Sequence, residues 1–139
     1  MFILLLLWVD KLLALNIDVT MKYRRQDKNG DYVFGHNKND YVSGNLAVAY
    51  AIKSKILLFY GEWWEDVGLG IPMFQSILGQ ARSDALKNSM QMMLIDRIKE
   101  IDEVVAVNKV DISMLNRTMT CNVSVTTNAN EVVETEVII

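Results

Sequence analysis

Residues 43–70 read SGNLAVAYAIKSKILLFYGEWWEDVGLG, an apolar helical pattern that runs into an aromatic and acidic loop. Apolar side chains recur at the three- and four-residue spacing of one helix face, and most remaining positions are apolar too. We therefore expect the last turns of this helix to be enclosed by the domain or by a neighbouring subunit. Ser43 is placed to cap the helix and Gly61 to stop it. The face consists of Val48, Ala51, Ile52, the stem of Lys55, Ile56 and Phe59.

The segment after Gly61 places two indoles beside three carboxylates. Aromatic side chains of this kind fill either the core of their own chain or a pocket at an interface. In the second case this segment, called the Trp loop below, anchors a partner. The Trp loop contains Glu62, Trp63, Trp64, Glu65 and Asp66.

Two more helices are predicted after the Trp loop. Pro72 opens a short helix over residues 73–78, and Gly79 ends it. A long helix follows over residues 83–101, with Ser83 as its cap. Its apolar face consists of Leu86, Met90, Met93, Leu94, Ile98 and Ile101, and its polar face of Asp84, Lys87, Gln91, Lys99 and Glu100.

The C-terminal third shows the alternation of half-buried strands. Strands are predicted over residues 104–115, 118–127 and 132–139, with a bulge at Asn108. In the second strand the alternation places Cys121 inside, as a small buried hydrophobe and not as a nucleophile.

The N-terminal part before the helix is predicted to be a hairpin over residues 17–34, turning at Asn29-Gly30. The predicted fold class is α+β. It has a small antiparallel sheet with two main helices packed on one side, and the N-terminal β-hairpin precedes them.

The last predicted strand has a free edge to satisfy. It ends in Val137, Ile138 and Ile139, and no later residues of the sequence could cover its outer side. Unpaired N–H and C=O groups on an apolar edge attract another strand. Either a partner adds a strand there, or the domain's own N-terminal strand covers the edge.

Composition excludes several classes of function. With 51% hydrophobic and 22% charged residues, the 139-residue chain is a well-packed globular one. The net charge is -3 and the largest basic cluster is residues 22–25, so we expect no nucleic-acid partner. One cysteine excludes an internal disulfide and a cysteine-based zinc site. The single histidine, His36, lies in a polar loop without other ligands, so we predict neither a metal nor a cofactor.

Residues 1–15, MFILLLLWVDKLLAL, differ from the rest of the chain. They lack the basic start and cleavage step of an export signal, and Asp10-Lys11 interrupts the apolar run too early for a membrane span. Three explanations stay open: an upstream start-site artefact, a short helix that docks on a partner, and a membrane anchor. We expect no membrane partner for the domain itself. The predicted organisation is an N-terminal extension, 1–15, followed by a single domain, 16–139.

The pattern SGN…AVAYAIKSKILLFYGEWWEDVGLGIPMFQSILG, with the hairpin before it and the helix and strands after it, resembles the baseplate wedge or sheath-initiator family of contractile-tailed bacteriophages. That family has an apolar helix that runs into a Gly-Glu pair, here Gly61-Glu62, and then an aromatic loop that ends in a glycine-rich step. The resemblance covers residues 16–137.

The resemblance implies a structural protein of the virion tail baseplate, made in the cytoplasm of the bacterial host and present in multiple copies in a symmetric assembly. Its implied partners are other baseplate wedge proteins, tail-tube proteins and the tail sheath protein. The sheath subunits are linked by shared strands, and the initiator offers the first pairing surface. On this basis we expect partner binding at Glu62, Trp63, Trp64, Glu65, Asp66, Glu100, Val137, Ile138 and Ile139.

The chain departs from the family at the junction after the second long helix. Members often carry a Glu-Pro-Arg triplet there that is thought to dock on the baseplate core, whereas residues 97–103 read RIKEIDE, with no proline. Two other functions stay open. One is an adaptor of the same fold that acts outside a virion. The other is a muramidase, which would need two carboxylates at a defined separation, and carboxylates in one loop have no fixed separation.

Overall fold

The computed structural model of the chain describes residues 21–77 and 79–139. The predictions for residues 1–15, and for the part of the hairpin before Met21, lie outside these residues. The predicted α+β fold is confirmed. Its elements are β1 (Tyr23–Arg24), a 3-10 turn (Asn37–Asp40), β2 (Tyr41–Val42), α1 (Asn45–Leu57), a π-helical turn (Met73–Ile77), α2 (Asp84–Lys99), β3 (Val104–Leu115), β4 (Thr118–Thr127) and β5 (Val132–Ile138).

Strands β3, β4 and β5 form an antiparallel sheet in that order. The register shifts between Val107 and Lys109, so the predicted bulge at Asn108 is confirmed. The turn between β3 and β4 contains Asn116 with a φ of 55°, a left-handed conformation that asparagine tolerates better than most residues. All three strands therefore lie close to the residues that the alternation predicts.

Both main helices cover the same face of this sheet. α1 packs mainly on β5, and α2 packs mainly on β3. Burying one Val, Leu, Ile or Met side chain completely contributes about 1.5–3 kcal/mol to stability. The core between the two layers includes Ile52, Ile56, Ile98, Met119, Cys121, Val123, Val125 and Val137.

Helix α1 begins later than predicted. Its first residue is Asn45, and Gly44 precedes it with a φ of 67°. No side chain of the described residues caps this end, so the predicted cap at Ser43 is wrong. A left-handed glycine turns the chain into the helix here, and the capping hydroxyl is not used.

Helix α1 also ends earlier than predicted, at Leu57 and not at Gly61. The next residues leave the helix because they pair with another part of the chain. The N–H of Ile71 donates to the carbonyl of Leu58 at 2.9 Å, and Phe59 forms a parallel bridge with Ile71. Tertiary pairing thus outweighs the helical pattern of the sequence.

Helix α2 begins as predicted. The hydroxyl of Ser83 accepts a hydrogen bond from the backbone N–H of Leu86 at 3.2 Å. The helix ends at Lys99, two residues before the predicted end. The sequence places Gln91 on the polar face, but its Nε2 donates to the carbonyl of Val110 at 2.8 Å, so this side chain links the helix to the sheet.

The N-terminal hairpin is present, with its second strand later in the chain than predicted. β1 pairs with β2, which places Arg24 opposite Tyr41. Residues 32–34 contribute only one bridge, between Gln26 and Tyr32. The 3-10 turn before β2 folds the chain back, so β2 forms the longer pairing with β1.

Candidate partner-binding surfaces

The Trp loop belongs to a longer loop that is closed at its base. The N–H of Tyr60 donates to the carbonyl of Ile71 at 2.8 Å, and the N–H of Ile71 donates to the carbonyl of Leu58 at 2.9 Å. These bonds hold the two ends of residues 60–70 together, as in a compact Ω-loop. A loop anchored in this way presents its tip on a fixed base.

Gly70 makes this closure sterically acceptable. Its φ is +113°, and a Cβ at this position would lie 2.6 Å from the carbonyl carbon of Phe59. Only a residue without a side chain fits this backbone approach. The glycine-rich step after the Trp loop therefore has a structural reason.

The two indoles of the Trp loop are not part of the core of this chain. The side chain of Trp64 is 82% exposed and that of Trp63 is 40% exposed. Glu65, which directly follows Trp64 in the chain, is also exposed. The structure thus brings an indole surface to one tip, together with a carboxylate that makes no hydrogen bond or ion pair with the part of the chain that the structure describes.

The other two carboxylates of the Trp loop bind the loop's own backbone. Glu62 Oε2 accepts a hydrogen bond from the N–H of Phe59 at 3.1 Å. Asp66 Oδ1 accepts one from the N–H of Gly68 at 3.0 Å. These bonds order the loop, and both side chains remain at the surface.

Glu100 connects the end of α2 to α1 and to the base of the loop. Its Oε2 lies 2.9 Å from Lys55 Nζ, and its Oε1 lies 3.0 Å from Arg97 Nη1. The hydrogen bond from Lys55, more than the charge of Arg97, lowers the pKa of Glu100 below its ordinary value. Arg97 Nη2 also donates to the carbonyl of Gly70 at 3.3 Å. Arg97 therefore links Glu100 to the backbone at the base of the Trp loop.

The third surface is the outer edge of β5. At the end of β4 the N–H of Met119 donates to the carbonyl of Ile139 at 2.9 Å, and the reverse bond measures 2.8 Å. Hydrogen-bonded and non-bonded pairs alternate along antiparallel strands. The residues whose backbone groups point away from β4 are therefore Val132, Glu134, Glu136 and Ile138.

No strand within residues 21–77 and 79–139 pairs with that outer edge. β1, the first N-terminal strand that the structure describes, pairs with β2. Of the three predicted edge residues, Val137 is 1% exposed and belongs to the core, whereas Ile138 is 61% exposed. Ile139 is half-buried. A strand added here would pair with backbone groups and would contact the exposed side chain of Ile138.

Cys121 and His36 lie where the sequence predicts them, Cys121 in the core and His36 in an exposed loop. Cys121 is fully buried, and burial raises the pKa of its thiol to about 11. His36 is exposed, with Nδ1 3.2 Å from Asp40 Oδ1. Among the residues that the structure describes, no group of three or more His, Cys, Asp or Glu side chains could hold a metal ion. No helix there is long and apolar enough to cross a membrane.

One surface feature was missed at the sequence level. The guanidinium of Arg24 lies 4.5 Å from the ring centre of Phe34 and 4.7 Å from that of Tyr41. Its Nη2 also donates to the Tyr41 hydroxyl at 2.6 Å, and Phe34 is 66% exposed. The only sequence signal is aromatic residues near a basic run. The stack itself depends on the pairing of β1 with β2.

Comparison with known proteins gives a family match and a fold likeness. The sequence matches the family model described as contractile injection system sheath initiator over residues 21–130. No curated protein shows a significant match. Among solved structures, the chain resembles a crystal structure from Geobacter sulfurreducens that is described provisionally as a tail lysozyme. The TM-score is 0.56 with 10% identity, covering 78% of this chain and 95% of the other.

At 10% identity this second likeness concerns the fold alone. The family match extends from the first described residue through the turn between β4 and β5. It therefore includes both helices, the Trp loop and most of the sheet. The chain belongs to the contractile injection system sheath initiator family.

Proposed function

We propose that this chain starts sheath assembly by pairing the outer edge of β5 with a strand of the sheath protein, while it joins wedge or tube proteins of the baseplate. The family match, which makes the chain a structural component of a contractile injection system, supports this proposal. The observation that carries it is the edge of β5, where four residues present their backbone groups away from β4. A backbone hydrogen bond contributes a net stabilisation of about 0.5–1.5 kcal/mol, so a short added strand supplies affinity, whereas specificity depends on its side chains.

The Trp loop is the second contact surface in this proposal. Exposed apolar side chains that cluster at one place mark a contact surface, and buried Trp anchors at interfaces are worth about 2 kcal/mol or more. The closed base holds the loop in place before binding, so less conformational entropy is lost on contact. We assign Trp63, Trp64 and Glu65 to the contact with a wedge or tube protein. Glu62, Asp66 and Glu100 hold the loop and its base in position.

Hydrolysis of cell-wall glycans fits this geometry poorly. A glycosidase needs one carboxylic acid protonated in an apolar pocket and a second one ionised. The three carboxylates of the Trp loop are exposed, and Glu62 accepts a hydrogen bond from a backbone N–H, so none of the three lies in an apolar pocket. We infer that this chain binds and does not hydrolyse. Muramidase activity that Glu62→Gln abolishes would overturn this inference.

The strand-pairing proposal is tested with Glu134→Pro. Residue 134 points its N–H away from β4, so proline removes one outward donor without breaking the β4–β5 ladder. Glu134→Ala removes the same carboxylate and keeps the donor. Each variant complements a deletion of the gene in its phage or prophage, and particles are imaged by negative-stain electron microscopy.

We expect Glu134→Ala to give normal tails and Glu134→Pro to give bare tubes or free sheath polymers. Circular dichroism of purified Glu134→Pro shows whether the domain is folded. If the folded proline variant assembles normal sheathed tails, the edge of β5 does not start the sheath.

A further inference from the structure

A pocket of about 530 Å³ opens where the end of β5 meets the turn between β3 and β4. Its wall includes three methionines, Met73, Met114 and Met119, and the side of Ile139. This volume is in the range of sites that enclose small molecules or anchoring side chains. Methionine adapts its shape to what it contacts, so such a wall accepts bulky apolar groups of several shapes. We call this site the methionine pocket.

The rim of the methionine pocket is basic. Arg82 and Arg117 both belong to it, and no Asp or Glu side chain within residues 21–77 and 79–139 lines the pocket. Arg82 Nη2 donates to the backbone carbonyl of Asn116, so its guanidinium is held at the turn between β3 and β4. Arg117 follows in the same turn and is exposed. Guanidinium groups bind carboxylates with charge-assisted hydrogen bonds.

An apolar wall beneath a basic rim selects a particular kind of side-chain pair. The wall favours a bulky apolar residue, and the rim favours an Asp or Glu next to it. Because Ile139 lies both beside Met119 at the end of the sheet and in the pocket wall, the pocket adjoins the end of the β5 edge. A segment that runs along β5 and continues past its end would reach the pocket mouth.

We propose that the methionine pocket binds a bulky apolar side chain, followed by a carboxylate, on the partner segment that pairs with β5. The path of the segment along β5 rests on the proposed function. The preference of the pocket for an apolar group with a carboxylate does not, because it follows from the wall and the rim alone.

The pocket is tested with N-acetyl-L-tryptophan, which carries an indole and a carboxylate. N-acetyl-L-tryptophanamide is the matched probe without the charge. Protein labelled with ¹³C at the methionine methyl groups reports on both, because Met73, Met114 and Met119 line the pocket while Met92 is 68% exposed on α2. We expect the acid to shift the three pocket methyls and not Met92. The amide should bind about threefold more weakly, the usual size of one exposed charge contact.

The variant Arg117→Glu should reverse or remove the preference for the acid while the indole still shifts the pocket methyls. Arg117 is exposed, so this variant should fold. Equal shifts at Met92, no shifts at the three pocket methyls, or equal binding of acid and amide would each overturn the proposed site.

Particle assembly separates this inference from the proposed function. If Glu134→Pro fails to form sheath and Arg117→Glu forms normal tails, strand pairing stands and the pocket is not used by the partner segment. If both variants fail, both proposals are supported. If Glu134→Pro forms normal tails, the proposed function and the path along β5 are overturned together, and the spectra alone decide whether the pocket binds such groups.

Discussion

Lys55 Nζ lies 2.9 Å from Glu100 Oε2, which joins the last turn of α1 to the residue that directly follows α2. Both side chains are partly exposed, so water and salt weaken the pair. The main effect of the pair is to hold neighbouring groups in place. Glu100 also pairs with Arg97, and Arg97 donates a hydrogen bond to the carbonyl of Gly70 at the base of the Trp loop. The junction after α2 lacks the Glu-Pro-Arg triplet, and in its place these contacts link the two helices to the Trp loop.

The pair should make a small, pH-dependent contribution to stability. The pKa of Glu100 is lowered in the folded protein, mainly by the hydrogen bond from Lys55. The contribution is therefore present above the ordinary value of 4.5 and is lost as the pH falls through the folded-state pKa. We expect Glu100→Gln to lower the free energy of unfolding by about 0.5 kcal/mol at neutral pH and by almost nothing near pH 3. Urea denaturation at both pH values measures it.

Glu65→Gln is the control for this effect, because Glu65 is an exposed carboxylate outside the ion pairs of Glu100. Its free energy of unfolding should match that of the parent at both pH values. An effect of Glu100→Gln that is equally large near pH 3 would show that lost packing, and not the charge, is responsible.

Gly70→Ala should destabilise the protein through a steric clash. The added Cβ would lie 2.6 Å from the carbonyl carbon of Phe59, in a backbone conformation with φ at +113°. We expect a loss of about 2–3 kcal/mol in the free energy of unfolding. Gly61→Ala separates the effect of the clash from the effect of the left-handed backbone, because Gly61 has a φ of +90° with open space around it. It should cost only about 1 kcal/mol, and equal losses would mean that the clash is relieved by a shift of the loop.

Ser83→Ala should cost about 1 kcal/mol, because the hydroxyl accepts the N–H of Leu86 at the start of α2. Ser43→Ala is the matched control. Ser43 does not cap α1, so this change should stay within about 0.5 kcal/mol. Thermal unfolding followed by circular dichroism compares the two. A larger loss for Ser43→Ala would mean that α1 is capped in solution by the residue that the sequence suggests.

The contrast between these serines shows which parts of the fold a sequence can predict. The cap at Ser83 and the bulge at Asn108 follow from local chemistry, and both are confirmed. The end of α1 does not, because residues 58–60 continue an apolar helical pattern and leave it only to pair with Ile71, which comes eleven residues after Tyr60 in the chain. Long-range pairing is what local patterns lack.

The candidate surfaces also include one that the sequence predicts and others that it does not. The Trp loop is one contiguous segment, so its five residues were found together in the sequence. The stack of Arg24 between Phe34 and Tyr41 and the methionine pocket unite residues from distant elements. Their composition was visible in the chain, but their proximity follows only from the register of the strands.

Cys121 should react very slowly in the folded protein. Burial raises the pKa of its thiol from 9.0 to about 11, and the thiolate is the reactive form. A difference of about 2 pKa units lowers the thiolate fraction at pH 8 about 100-fold, before any effect of access. Reaction with Ellman's reagent, with and without denaturant, measures the ratio. A native rate within about tenfold of the denatured one would mean that β4 opens readily.

Trp64→Ala should separate binding from folding. The indole is 82% exposed, so its removal should change the free energy of unfolding by less than about 0.5 kcal/mol. If Trp64 anchors a wedge or tube protein, its loss should weaken that contact by about 2 kcal/mol or more, which is roughly 30-fold in affinity. The amount of the chain retained on purified baseplates, measured by immunoblot, should therefore fall. Met92→Ala removes an exposed apolar side chain outside the Trp loop and should leave retention unchanged. If Trp64→Ala and Met92→Ala are retained equally, the indole of Trp64 does not attach the protein to the particle. Its exposure would then have another reason.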